Sequence, residues 1–190
     1  DQNTDPSVST LEYLASSKGW SIEQAREISS NVAEMAKTEG LDFDFENAVV
    51  ANTRNAHRLI HLAKSVGKGD KMKERLLAAY FSGGKNVDDF DTLISLGTEI
   101  GLTEDKVKKA LESGDYEDAV ETDIYESRQL GVRGVPFFVL DRKFGISGAQ
   151  PDEVFTQTLE KAWNEYEKAN QPIQMTGRDD SEACNINGDC

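Results

Sequence analysis

The chain has 190 residues, 29% of them charged, a formal net charge of -14 and a mean hydropathy of -0.57. That acid excess argues against nucleic acid and anionic membranes as partners, since both call for a basic face. No apolar run approaches the ~20 residues of a membrane span.

The length suits one domain, or one domain carrying a large insertion. Two cysteines, Cys184 and Cys190, are too few for a disulfide-stapled secreted scaffold. The sequence opens on Asp1 without a secretory h-region and meets its first methionine at Met35. It is therefore expected to be processed or cut at its N-terminus, with a cytoplasmic location as the default.

Residues 1–130 read as nearly all helix. A first helix over 10–18 stops at Gly19. Ser21 and Gln24 form a capping box that opens a second helix, with Ile22, Ala25, Ile28, Val32, Met35 and Ala36 as its inward stripe and Gly40 as its stop. Residues 41–45 alternate apolar and polar and are expected to be extended. Asn52 caps a third helix with Ala56, Leu59, Ile60 and Ala63 inward, closing at Gly67. Four more helices are predicted over 70–81, 88–100, 103–111 and 116–130, divided by Gly83-Gly84, Gly101 and Gly114. Leu76, Leu77, Tyr80 and Phe81 form the apolar side of the first of these.

From residue 131 the character changes. Gly134-Val135-Pro136 runs into Phe137-Phe138-Val139-Leu140, the composition of a strand buried on both faces. Proline donates no ladder bond and belongs at the start of a strand. A polar turn precedes a second run, 144–149. Pro151 then opens a long helix near its N1 position, with Asp152 and Glu153 in the first turn and Val154, Phe155, Leu159, Ala162 and Trp163 inward. Residues 170–190 form a polar tail carrying both cysteines.

Three stretches carry a resemblance: Asn52-Thr53-Arg54-Asn55-Ala56-His57-Arg58, Val132-Arg133-Gly134-Val135-Pro136, and Ser147-Gly148-Ala149-Gln150. Together with the paired tail cysteines they resemble the DsbA family of thiol-disulfide oxidoreductases, its FrnE-like branch in particular. The first is similar to the signature opening an insertion helix, the second to a cis-proline loop, the third to the following hairpin strand. The resemblance implies an α/β, thioredoxin-like fold: a helical insertion domain at 1–130, the C-terminal ββα half at 131–169, and a tail at 170–190. The family's first strand, Cys-x-x-Cys helix and second strand do not match anything here. The chain is thus expected to be a fragment, and an uncovered apolar face on the last helix is expected with it.

The implied activity is that of an enzyme exchanging disulfides with protein or small-molecule thiols. The resemblance places Val135 and Pro136 at the substrate strand, which a cis Val135–Pro136 bond would leave open to backbone pairing. Cys184 and Cys190 become an exchangeable catalytic or resolving pair; Asn187-Gly188-Asp189 between them favours a turn that brings the sulfurs within reach. Asn52 and His57 are assigned to substrate contact. His57 and His61 share a helix face, but no third ligand stands nearby, so no metal site is expected, and no cofactor. Kappa-class glutathione transferases and 2-hydroxychromene-2-carboxylate isomerase share the fold, so a glutathione-dependent isomerase or transferase is the alternative. Gly148-Ala149-Gln150-Pro151 lacks their Gly-x-Asp-Arg-like element, which weakens glutathione as a partner. A non-catalytic binding module is the third reading.

Overall fold

The computed structural model describes residues 8–171. Their elements are α1 (Thr10–Lys18), α2 (Ile22–Thr38), α3 (Arg54–Lys64), α4 (Gly69–Phe81), α5 (Phe90–Glu99), α6 (Glu104–Ser113), α7 (Glu117–Gln129), β1 (Phe137–Leu140), β2 (Phe144–Ser147) and α8 (Asp152–Ala169). The chain divides into two compact units, Asp1–Glu126 and Ser127–Cys190.

In the first unit, α1 and α2 both begin on capping boxes. Ser21 and Gln24 form the expected one; Ser9 and Glu12 form a second. The predicted stripe of α2 is corrected. Ala25, Ser29 and Ala36 are buried, whereas Ile22, Ile28 and Val32 are about two-fifths exposed and Met35 is 71% exposed. The apolar arc of α2 is wider than α1 can cover, and the small side chains take the close contact. Residues 41–45 form a loop. Phe43 stacks on Phe81 at 4.9 Å and the Asp44 N–H donates to the Phe81 carbonyl at 2.8 Å, closing this loop over the end of α4.

The core lies among α3, α4, α5 and α6. Leu59, Met72, Leu93 and Val107 are its fully buried large side chains, each contributing about 1.5–3 kcal/mol by leaving water. On α4 the inward stripe is Met72, Leu76 and Ala79, at i, i+4 and i+7. The expected Leu77 points out, because one residue past Leu76 is about 100° further round the helix. Helix α5 starts at Phe90, two residues later than predicted. Asp89 holds that boundary by accepting the Thr92 N–H at 2.8 Å, a bond that keeps its carboxyl below the usual pKa range. Gly97 lets α5 approach α6: a Cβ there would stand 2.9 Å from Val107 Cγ2.

In the second unit, β1 and β2 pair antiparallel, with Phe138 opposite Ile146 and Leu140 opposite Phe144. Asp141 and Arg142 turn the hairpin with φ 49° and 53°. Phe138 meets Phe155 of α8 edge-on at 4.9 Å, and Ile146 is buried. The strand was expected to be buried on both faces, but Phe138 and Val139 are 42% and 39% exposed. Among the described residues the sheet has two strands, so α8 covers one side of it. Pro151 sits at the N-cap of α8, not at N1, and no residue of α8 is fully buried. Leu159 and Trp163, expected inward, are 56% and 61% exposed, as the expectation of an uncovered face requires.

Gly97→Leu should lower the stability of the helical unit by about 1–3 kcal/mol by overpacking. Adding Val107→Ala should recover part of that loss, since the two side chains compete for one space. Chemical denaturation of the four corners of this cycle checks it; strict additivity would contradict the packing described.

Candidate functional site

Two groups of residues were marked by the sequence, and the structure gives them different characters. The first is the loop between α7 and β1. Gly131 leaves α7 with φ 75°, and the Val132 N–H returns to the Ser127 carbonyl at 3.0 Å. The Val135–Pro136 peptide bond is cis, the geometry expected there. The Pro136 carbonyl accepts the Gly148 N–H at 2.9 Å, tying the loop to the end of β2. Across the hairpin the Phe137 ring closes over Gly145, where a Cβ would lie 3.0 Å from its Cζ.

Val135 stands at the apex of this loop and is 89% exposed. Neither its N–H nor its carbonyl has a hydrogen-bond partner among the described residues. A backbone donor and acceptor on one solvent-facing residue can receive another chain in the manner of strand addition. These two backbone groups are the open ones of the loop.

The second group is Asn52 to His61. Most of its side chains are committed to the fold. The Asn52 Oδ1 accepts the Arg54 N–H at 2.9 Å; Thr53, not Asn52, is the N-cap residue of α3. Asn52 supports the helix start through an Asx-type turn. Arg58 is 6% exposed. Its guanidinium donates to the Ala110 carbonyl, to the Leu111 carbonyl at 3.2 Å, to the Asp115 carbonyl at 3.0 Å and to Asn55 Oδ1 at 2.8 Å. Those carbonyls belong to the last turn of α6 and the bend after it, which otherwise lack helical partners. Arg58 is thus the C-terminal cap of α6, supplied from α3. Arg54 donates to Glu117 and Glu121 of α7, and His61 Nε2 lies 2.9 Å from Asp123 Oδ2.

His57 keeps an outer edge open to solvent, yet the surrounding protein desolvates its ring. That burial holds its pKa below the ordinary histidine value; Asp123 acts the other way, and His61, Lys64 and Lys73 add to the lowering. Among the described residues no group of three or more His, Cys, Asp or Glu side chains is arranged to hold a metal. Cys184 and Cys190 lie outside the described residues. Among those residues, no helix is long and apolar enough to cross a membrane.

Sequence reasoning missed Arg58 as the central polar residue of the helical unit. The signal was available: an arginine set between Ala56 and Leu59 on the apolar side of a helix needs buried partners.

The DSBA-like thioredoxin domain family matches residues 2–160. The chain belongs to that family, and its fold is the mainly helical, thioredoxin-like α/β class. It is 29% identical over 132 residues, 68% of its length, to the uncharacterized protein YwbO of Bacillus subtilis (strain 168), and spans 66% of that relative. It is also similar to the crystal structure of a probable DsbA oxidoreductase from Streptomyces coelicolor. That likeness has a TM-score of 0.79 and 35% identity, and covers 98% of this chain and 78% of the other. Both the helices and the small hairpin therefore sit within a thiol-disulfide oxidoreductase family.

Arg58→Met should destabilise the protein by about 3 kcal/mol, since the α6 carbonyls lose their donor inside the protein. His57 gives a pH signature. Its folded pKa is depressed, so folding opposes its charging: the penalty is absent above the unfolded value of ~6.5 and grows as pH falls below it. His57→Gln should therefore reduce the loss of thermal stability between about pH 7.5 and pH 5.5. An identical pH slope in the variant would contradict this assignment.

Proposed function

We propose that this chain holds the substrate strand for thiol-disulfide exchange in a FrnE-like member of its family. An extended segment of a protein, or a small dithiol, pairs with the Val135 N–H and carbonyl beside Pro136. The observation that carries this reading is the exposed Val135 backbone, which has no partner among the described residues. Family membership supplies the chemistry. The segment 131–169 acts as the recognition half.

The exchange itself needs a thiolate. In it, a thiolate attacks one sulfur of a substrate disulfide, a new S–S bond forms, and the old bond breaks to release a substrate thiolate. A second thiol then attacks the mixed disulfide, leaving an oxidised pair and a reduced substrate. No Cys-x-x-Cys occurs in this sequence. Cys184 and Cys190 are the proposed exchanging pair, acting as resolving thiols toward the thiolate of a Cys-x-x-Cys dithiol supplied from outside this sequence. We assign the reaction to protein or small-molecule disulfides in the cytoplasm; no observation favours glutathione as the substrate.

The test is binding of an extended, disulfide-bearing peptide to the whole chain. Val135→Pro removes the N–H and should weaken binding about tenfold, the value of one good hydrogen bond. Val135→Ala keeps the backbone and should bind as the parent does. Equal affinity in all three would remove the ledge from the mechanism.

A further inference from the structure

Helix α2 and the loop at 41–46 enclose a cavity of about 280 Å3. Ser29, Ser30 and Ala33 form its helix wall, Phe43 and Phe45 its loop wall, and Leu11 of α1 also lines it. The loop wall is held in place. Phe43 stacks on Phe81, the Phe45 ring meets Phe43 edge-on at 5.9 Å, and the Asp44 N–H bonds to the Phe81 carbonyl. Arg26 Nε donates to Glu46 Oε1 at 2.9 Å and ties α2 to the loop. Lys37 Nζ lies 2.8 Å from Glu34 Oε1. Arg26, Ser29, Ala33 and Lys37 are spaced i, i+3, i+7 and i+11, so one face of α2 carries them all.

Polar capacity is left over on these walls. Ser29 is 6% exposed, and its hydroxyl has no hydrogen-bond partner among the described residues. None of their side-chain oxygens is both sealed from solvent and unpaired. The Ser29 hydroxyl therefore opens on the cavity that the residue lines. Arg26 spends only Nε, and its two terminal nitrogens have no acceptor among the described residues. Glu46 spends one carboxylate oxygen on that bond and keeps the other. Donors and an acceptor thus stand unused beside an apolar enclosure, where a ligand that completes them gains most.

We propose that this cavity binds a free α-amino acid with an apolar side chain. The side chain lies between the Phe43 and Phe45 rings, Leu11 and Ala33. The carboxylate accepts from the Arg26 terminal nitrogens and the Ser29 hydroxyl, and the ammonium donates to Glu46. Charge selects the class. Glu34, Asp44 and Glu46 oppose a net anion, and Arg26 and Lys37 oppose a net cation. An uncharged apolar molecule would leave Ser29 and Arg26 unpaired. A zwitterion satisfies both signs. The volume suits a small molecule, since ligand pockets usually run from ~300 to ~1,000 Å3. The site lies within the first unit and does not depend on the ledge at Val135.

Amide NMR of the whole chain, titrated with L-phenylalanine at fixed pH and salt, tests it. Saturable shifts are expected at 26–37 and 43–46 with a dissociation constant on the order of 1 mM, and none along β1 and β2. L-phenylalaninamide lacks the carboxylate and N-acetyl-L-phenylalanine lacks the ammonium; each should bind about tenfold more weakly. Arg26→Gln, a change at an exposed side chain, should weaken L-phenylalanine about tenfold and leave the amide as it was. Ser29→Ala, which keeps the small volume, should weaken L-phenylalanine by a smaller factor. No saturable shift up to about 20 mM, shifts centred elsewhere, equal binding of the three compounds, or variants that bind as the parent does would overturn the proposal.

Discussion

One buried guanidinium organises the helical unit. Arg58 reaches from α3 to the end of α6 and holds three backbone carbonyls there, besides Asn55 on its own helix. Moving such a charge out of water costs several kcal/mol unless every donor finds an acceptor. Here the acceptors are carbonyls that a helix end leaves open, so two deficits cancel. The bend at Gly114 and Tyr116, which carry φ 75° and 67°, lies beside this grip. It sets where α7 begins, and so which carboxylates of α7 meet Arg54 and His61.

The helices were legible in the sequence because their stops are glycines and their starts are capping residues. Gly19, Gly101, Gly114 and Gly131 all adopt positive φ at or beside helix ends. The hairpin was legible because a proline and a run of aromatic and β-branched residues leave few alternatives. Which apolar residues face inward was less legible. The α2 stripe held only at Ala25 and Ala36, because a helical wheel gives the apolar arc but not the width of the neighbour that covers it. Leu159 and Trp163 lie exposed for a related reason: apolar periodicity marks a surface fit for burial, not the element that buries it.

The candidate site divided in the same way. The proline loop was readable, since its residue types restrict the backbone directly. Asn52 and His57 were less readable, because a motif of polar residues at a helix start looks the same whether it binds a substrate or the fold. Asn52 is spent on the Arg54 N–H and Arg58 on α6, while the Val135 backbone is spent on nothing among the described residues. Buried polar groups with full partnerships stabilise a fold, and exposed backbone groups without them remain available for recognition.

The most direct measurement is a crystal structure of the whole chain with an extended disulfide-bearing peptide. The account predicts a peptide strand lying beside Val135, with its backbone bonded to the Val135 N–H and carbonyl, and with the Arg58 contacts to α6 unchanged. A peptide seated on the Asn52–His57 face, or a Val135 backbone left bare in the complex, would contradict it.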